Sequence, residues 1–251
     1  MTKIIMVGCN GRMGQMITGI VAEDDQTQIV AGIDVVDNRD NGYPVFTDIN
    51  QCDVKADVII DFSSANGFEE RMDYAVKTQT PIVECSTGMT KGQIDYMHEA
   101  GKKVAVLKSA NMSLGINLLM KLLKEAAQKL CGEGFDVEIV EKHHNKKLDA
   151  PSGTALALAD SINDAMNDQF EYVYDRSQVR QQRGKREMGI SAVRGGTIVG
   201  EHEVIFAGND EVITFEHTAY SRAVFAKGSV TAAKFLNGKG AGMYDMADVL
   251  L

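Results

Sequence analysis

Cysteine, proline and positive charge are all in short supply in this 251-residue chain. Four cysteines stand at positions 9, 52, 85 and 131, with no C-x-x-C spacing and no histidine close enough to complete a ligand pattern. That excludes a disulfide framework and a structural zinc site, and predicts free thiols in a reducing compartment with no bound metal. Three prolines and 24 glycines exclude a linker-rich or low-complexity chain. Against 26 lysines and arginines stand 35 aspartates and glutamates, a formal charge of −9 at pH 7. So acidic a chain is repelled by phosphate backbones, and nucleic acid is not an expected partner. No apolar run approaches the ~18 residues that span a bilayer, so no membrane association is expected. Met1-Thr2-Lys3 leads straight into a strand-like run, without the apolar stretch and cleavage site of a signal peptide. The expected location is cytoplasmic.

What is present is a globular composition, 44% apolar and 24% charged, long enough for one large domain or two modest ones. Residues 3–7 form a short apolar run that ends at Gly8 and reads as a buried parallel strand. Met13, Met16, Ile17, Ile20 and Val21 then follow at helical spacing. Strands over 28–33, 56–62, 81–85 and 104–107 alternate with helices over 66–78 and 91–100. Such alternation predicts a parallel sheet with crossover helices. After about residue 112 the pattern changes. A helix over 115–130, an alternating strand over 135–141 and a helix over 153–166 precede strands at 170–174, 189–194, 197–206 and 211–218. Gly195-Gly196 and Gly208-Asn209-Asp210 read as hairpin turns, so this half is expected to hold an open, largely antiparallel or mixed sheet. The tail from Arg222 carries one more helix.

Gly8-Cys9-Asn10-Gly11-Arg12-Met13-Gly14 lies between the first strand and the first helix. Glycines there let the backbone turn sharply and let a pyrophosphate approach the amides of the helix N-terminus. Twenty residues past Gly14 stands Asp34, at the end of the second strand, where a carboxylate can accept from ribose hydroxyls. Strand, loop, helix and acid together point to a dinucleotide; a loop needed only for strand-to-helix packing is the plainer alternative.

A second cluster reads Glu-Lys-His-His-Asn-Lys-Lys-Leu-Asp-Ala-Pro-Ser-Gly-Thr-Ala over 141–155. Ser152 is a candidate N-cap, and the amides of Gly153 and Thr154 beside lysines suit a carboxylate or phosphate. A histidine next to them can deliver a proton near neutral pH. The chemistry alone leaves two readings open, an anion-binding acid–base site or a solvated polar loop. His98 is expected on a surface, His202 and His217 as structural hydrogen-bonders, and Arg176 to Arg186 as a solvated loop.

The run His-His-x-x-Lys-x-Asp-x-Pro-Ser-Gly-Thr-Ala over 143–155 resembles the signature of the 4-hydroxy-tetrahydrodipicolinate (dihydrodipicolinate) reductase family. The glycine loop, Cys85-Ser86-Thr87-Gly88, Ser109-Ala110-Asn111-Met112-Ser113, Val193-Arg194-Gly195-Gly196 and Gly242-Met243-Tyr244-Asp245 resemble further family segments in the same order. Two departures stand out: Cys85-Ser86 where Gly-Thr is commonest in the family, and Met112 where Phe is common.

The resemblance implies an α/β fold, a Rossmann-type dinucleotide-binding domain over 1–112 and 222–251, and an α+β domain over 113–221 that binds substrate and oligomerises. It implies NADH- or NADPH-dependent reduction of a cyclic dicarboxylated imine on the route to meso-diaminopimelate and lysine, by a homotetramer. His143 would be the proton donor and Lys147 the second acid. His144, Gly153 and Thr154 would bind substrate. Gly8, Cys9, Asn10, Gly11, Arg12, Met13, Asp34, Cys85, Ser86, Thr87, Ser109, Ala110, Asn111 and Met112 would line the cofactor. With valine at 35 and 36 and Arg39 the first cation downstream, dual cofactor use with NADH at least equal to NADPH is expected. Hinges are expected near 111–113 and 221–222. Two other readings stand beside this one, an aspartate dehydrogenase on the same cofactor fold and a catalytically silent NAD(H) sensor.

Overall fold

The structure, a computed structural model, describes residues 1–250 and divides them into two compact units. One comprises Met1–Ser113 with the chain from Ala223 onward, the other Leu114–Arg222. In chain order the first unit opens with β1 (Thr2–Val7), α1 (Arg12–Ala22), β2 (Thr27–Ile33), β3 (Val45–Phe46) and β4 (Val58–Asp61). It continues through α2 (Phe68–Thr78), β5 (Ile82–Glu84), α3 (Lys91–Gly101) and β6 (Ala105–Lys108). The second unit holds α4 (Leu114–Leu130), β7 (Asp136–His143), α5 (Gly153–Ala165) and β8 (Glu171–Val173). It ends with β9 (Glu187–Arg194), β10 (Gly200–Ala207) and β11 (Val212–Ala219). The chain then returns with α6 (Ala223–Leu236), β12 (Gly242–Tyr244) and α7 (Met246–Val249).

The first unit is a parallel sheet in the order β12-β6-β5-β4-β1-β2-β3. Its strands are apolar on both faces, which only a sheet covered by helices on both sides tolerates. Ile5, Val7, Ile59 and Ile82 pack with Phe68 and Met72 of α2 and Met97 of α3. α6 presents Ala226, Gly228, Ala232 and Ala233, small residues that bring it close to the chain: a Cβ on Gly228 would lie 1.7 Å from the Met112 carbonyl oxygen. The strand order reverses between β1 and β4, and all these strands end at the same edge. In open α/β sheets ligands bind in the crevice at that place.

The second unit is a mixed sheet in the order β11-β10-β7-β9-β8, antiparallel across β11, β10 and β7 and parallel across β7, β9 and β8. α4 and α5 pack with its inner face through Leu119, Leu123, Leu158 and Ile162 against Val137, Ile139, Val204 and Phe206. β7 alternates strictly between buried and half-buried positions. Gly208 donates to the Glu211 carbonyl and closes the expected β10–β11 hairpin. Gly195-Gly196, by contrast, is not a hairpin. β9 and β10 flank β7 on opposite sides, so the two glycines carry the chain over the end of β7. Their backbones bond to it: Gly195 donates to the His143 carbonyl at 2.9 Å, and the Gly196 carbonyl accepts from Asn145 at 3.3 Å. Two short edge strands, β3 and β12, fall below the length at which periodicity reads.

The 176–186 segment is largely exposed, as expected, but two of its arginines are anchored. Arg183 lies against the sheet, donating to Asp136 Oδ1 at 2.6 Å, Glu138 Oε1 at 2.8 Å and the Val137 carbonyl at 3.1 Å. Arg176 pairs with Glu187. The half-charged outer face of β7 binds the loop down.

Candidate active site

The glycine loop opens directly from the carboxyl end of β1. Gly8 sits at φ +77°, and a Cβ on Gly14 would lie 2.2 Å from the Gly8 carbonyl oxygen, so only glycine lets the loop fold onto the helix start. Gly11 caps α1 with no side-chain acceptor, which leaves the amides of the first turn to an incoming anion. Arg12 is exposed beside them and Met13 half-buried. Cys9 offers only its backbone, because its thiol is fully buried, and burial, with Asp34 nearby, pushes that thiol up to about 11. Asp34 is held by two amides, accepting from Asn10 at 2.8 Å and Val35 at 2.8 Å. The Asn10 side chain donates to the Val36 carbonyl at 2.6 Å, tying the loop after β2 to the glycine loop. A cleft of about 410 Å³ opens here, lined by Gly8, Asp34, Val35, Ser63, Asn66 and Arg71 among others. A cradle that a Cβ would fill, uncapped amides and an acid at ribose distance fit a dinucleotide.

The other expected cofactor residues follow the carboxyl ends of β5 and β6. Thr87 and Ala110 are exposed, Cys85, Ser109 and Asn111 half-buried, and Ser86 and Met112 buried. Ser86 is engaged inward: its amide donates to Glu84 Oε1 at 2.7 Å, its hydroxyl donates to the same oxygen, and its carbonyl accepts Lys108 Nζ at 2.5 Å. The Asn111 side chain accepts from the Ser113 amide at 2.8 Å. Beneath these loops lies a row that the sequence did not reveal. Asp61, Glu84 and Lys108 end adjacent strands in register. Asp61 is fully buried and ion-paired with Arg71, whose guanidinium also donates to the Ser64 and Asn66 carbonyls. Glu84 is fully buried too, with no cation in hydrogen-bond contact and no hydrogen bond to Oε2 among the described residues. Burial, and then the charge of Asp61, push its carboxyl up to about 7. The detectable signal was an acid closing each wholly apolar strand.

In the second unit the alternation of β7 places Glu141 and His143 on the inner face, successive to Val137 and Ile139. Register sets His202 of β10 opposite Glu141, and Arg194 of β9 opposite His143. His143 Nδ1 lies 2.6 Å from Glu141 Oε2, and its ring packs edge-on to His202 at 5.1 Å. Burial lowers the His143 proton affinity; Glu141 opposes this, and the cations Lys147 and Arg194 add to it, so the net direction is down. Burial, with the His143 charge beside it, drives His202 down to about 3, and it stays neutral. Its Nε2 is 3.0 Å from the Ser152 hydroxyl, so it is a structural hydrogen-bonder as expected, but one built into the histidine cluster. His98 is exposed, as expected.

Ser152 caps α5, its hydroxyl accepting from the Ala155 amide at 3.1 Å. Between β7 and that cap a turn closes from the Lys147 amide to the His144 carbonyl. His144 is half-buried with its Nδ1 unpartnered among the described residues, an atom aimed at nothing the chain supplies. Lys147 Nζ stands 2.9 Å from Asp149 Oδ1, with the Gly153 amide near the same carboxylate. Burial tends to raise that carboxyl, yet these donors hold it below the ordinary range. Lys147 and the Gly153 amide thus both lie beside a carboxylate of the chain's own loop. Glu141 and Arg194 escaped notice because their function depends on strand parity and pairing. The parity of Glu141 with Val137 and Ile139 was the available signal.

A phosphate-cradling loop at the switch point of one unit, and an acid–base cluster with an anion cradle in the other, define a pyridine-nucleotide-dependent oxidoreductase. Comparison with known proteins narrows the class. Residues 2–112 match the family described as dihydrodipicolinate reductase, N-terminus, and residues 115–250 its C-terminus. The chain belongs to the dihydrodipicolinate reductase family. A 4-hydroxy-tetrahydrodipicolinate reductase of Caldanaerobacter subterraneus is 48% identical, covering 100% of this chain and 98% of the relative. One of Clostridium novyi is 47% identical with the same coverage. In fold the chain is similar to the dipicolinate-bound dihydrodipicolinate reductase of Paenisporosarcina sp. TG-14, with a TM-score of 0.83, 24% identity and full coverage of both chains.

Proposed function

We propose that this chain reduces the dihydrodipicolinate ring, formed from 4-hydroxy-tetrahydrodipicolinate, to tetrahydrodipicolinate with NADH or NADPH, in lysine and meso-diaminopimelate biosynthesis. When bound, the dihydronicotinamide supplies a hydride and with it two electrons. The chain's own residues supply the proton, the charge neutralisation and the orientation. The glycine loop and the first amides of α1 bind the pyrophosphate, Arg12 adds local positive charge, and Asp34 accepts from the ribose. Residues 85–87 and 109–112 line the nicotinamide side.

In the second unit Lys147 and the amides of Gly153 and Thr154 hold a ring carboxylate, and His144 binds substrate. His143 gives its proton from Nε2, since Nδ1 faces Glu141. Lys147 doubles as the second acid, polarising the imine side. The observation that supports this reading is the Asp149 carboxylate, ion-paired with Lys147 and near the Gly153 amide, in the loop that follows the buried His143–Glu141 pair. The signature over His143–Thr154, with its lysine and two amides, argues against an aspartate dehydrogenase, and a silent sensor has no need of its acids.

The sheet of the second unit has α4 and α5 on its inner face, while its outer face carries the half-buried alternate residues of β7. A homotetramer assembled through this sheet, in the cytoplasm, completes the proposal. The test is nucleotide oxidation in a coupled assay, the substrate being generated in situ from pyruvate and aspartate semialdehyde by the preceding synthase. Turnover inhibited by pyridine-2,6-dicarboxylate is expected. Folded protein that turns over neither nucleotide refutes the assignment.

A further inference from the structure

Glu141 is a carboxylate with every site taken. It is fully buried on the inner face of β7. Oε1 accepts the Ser152 amide at 2.9 Å and Arg194 Nη2 at 2.7 Å. Oε2 accepts Arg194 Nη1 at 2.7 Å and faces His143 Nδ1 at 2.6 Å. Burial works to raise its proton affinity, but Arg194, His143 and the Ser152 amide outweigh burial, and it stays ionised.

An ionised carboxylate only accepts, so His143 Nδ1 must carry hydrogen whether the ring is neutral or cationic. Nε2 is then the one atom of His143 that gains and gives a proton. The same carboxylate, through its other oxygen, fixes Ser152, the N-cap of α5. One side chain therefore sets both the tautomer of the acid and the position of the helix start that carries Gly153 and Thr154. Arg194 pairs with it in a bidentate geometry, so the carboxylate orients His143 without holding it permanently cationic. The charged or titratable groups around His143 are Glu141 on its own strand, Arg194 on β9, His202 on β10 and Lys147 in the following loop.

We propose that Glu141 is the positioning residue of the reaction, coupling the proton donor His143 to the anion cradle of α5, with Arg194 as its counter-ion. This rests on the function proposed above.

The experiment uses the full-length enzyme, Glu141→Gln and Glu141→Asp, read by histidine ¹⁵N NMR and by pH–rate profiles. In the wild type, neutral His143 is expected as the Nδ1–H tautomer. In E141Q the glutamine amide can donate to Nδ1, so the Nε2–H tautomer should appear and kcat should fall by about 10²-fold or more. Glu141 raises the proton affinity of His143, and the acid must be protonated to work. The basic limb of the E141Q profile should therefore move to lower pH. E141D, which keeps the charge, should recover kcat to within about tenfold of wild type. A mere packing role would give neither the tautomer change nor the shifted limb.

Wild-type His143 in the Nε2–H tautomer overturns the inference even if E141Q fails to fold. So does E141Q with kcat within about threefold of wild type and an unmoved profile. In both cases wild-type turnover leaves the proposed function standing. Wild type inactive with both nucleotides overturns the function, and this inference with it.

Discussion

Replacing Glu84 with glutamine should make the protein more stable at alkaline pH, although the side chain is fully buried and hydrogen-bonded. The carboxyl stands at about 7 against an ordinary 4.5, because burial and the neighbouring Asp61 both disfavour its charge. At about 1.4 kcal/mol for each pH unit, the folded chain favours the protonated form by on the order of 3 kcal/mol. In the unfolded chain Glu84 ionises near its ordinary value, so between the two values the folded state binds more protons. Stability therefore falls as pH rises: the contribution is whole below about 4.5 and lost once pH passes about 7. Glutamine keeps an oxygen for the Ser86 amide and hydroxyl, and it imitates the protonated acid at every pH. Urea denaturation followed by far-UV circular dichroism at pH 5 and pH 8 reads the effect, the chain having no tryptophan. Comparing variant with wild type cancels the titration of groups that do not interact with Glu84. E84Q should equal wild type at pH 5 and exceed it at pH 8, with on the order of 3 kcal/mol as the upper bound. Equal stability of the two proteins at both values would refute the buried-acid reasoning.

Other perturbations reach the remaining parts of the site. His143→Ala and Lys147→Ala should each lower kcat by ~10²–10⁴ with NADH affinity unchanged in fluorescence titration, and His144→Ala should raise KM instead; collapse of NADH binding would contradict the proton-donor roles. Gly14→Ala puts a methyl 2.2 Å from the Gly8 carbonyl oxygen. At about 1–3 kcal/mol for such overpacking, it should weaken NADH by roughly tenfold or more, and unaltered affinity would remove the loop from the cofactor site. Light scattering at micromolar concentration should give the mass of four chains, and a monomeric mass would refute assembly through the sheet. Asp34, held by two amides with valine at 35 and 36, should leave NADH at least as good as NADPH in kcat/KM. A tenfold preference for NADPH, ~1.4 kcal/mol, would mean that a cation such as Arg39 reaches the 2′-phosphate.

Much of this molecule was legible because its signals are local. Wholly apolar runs such as Ile4–Val7 and Val58–Ile60 mark strands buried on both faces, and the glycine loop between β1 and α1 marks the crevice. Ser152 reads as an N-cap because serine is chemically suited to accept the Ala155 amide. What failed to read depends on partners distant in sequence. Two glycines between alternating strands look like a hairpin, yet β7, some 50 residues upstream, inserts between β9 and β10 and takes the hydrogen bonds a hairpin would have made. Nothing within the 189–206 stretch encodes that insertion. Arg183 similarly reads as a solvated charge until the folded sheet brings Asp136 and Glu138 beneath it.

The buried acids show why composition alone does not locate chemistry. Asp61, Glu84 and Glu141 are all fully buried in a chain already rich in acids. A buried carboxylate stays charged only where donors replace its lost water. Glu141 has a bidentate arginine, an amide and an imidazole, and is held below the ordinary carboxyl range. Asp61 has the Arg71 guanidinium and the Ser63 amide and hydroxyl. Glu84 has only Ser86 as a hydrogen-bond donor among the described residues, while Lys108 spends its ammonium on the Ser86 carbonyl, and an acid stands next door. Glu141 and Glu84, residues of one kind, thus diverge by the donors and charges around them. The better supplied is the one proposed to orient His143, and the less supplied takes up a proton more readily. Strand pairing decides which is which: Arg194 comes to Glu141 through the β7–β9 register, and Asp61 comes to Glu84 through the β4–β5 register.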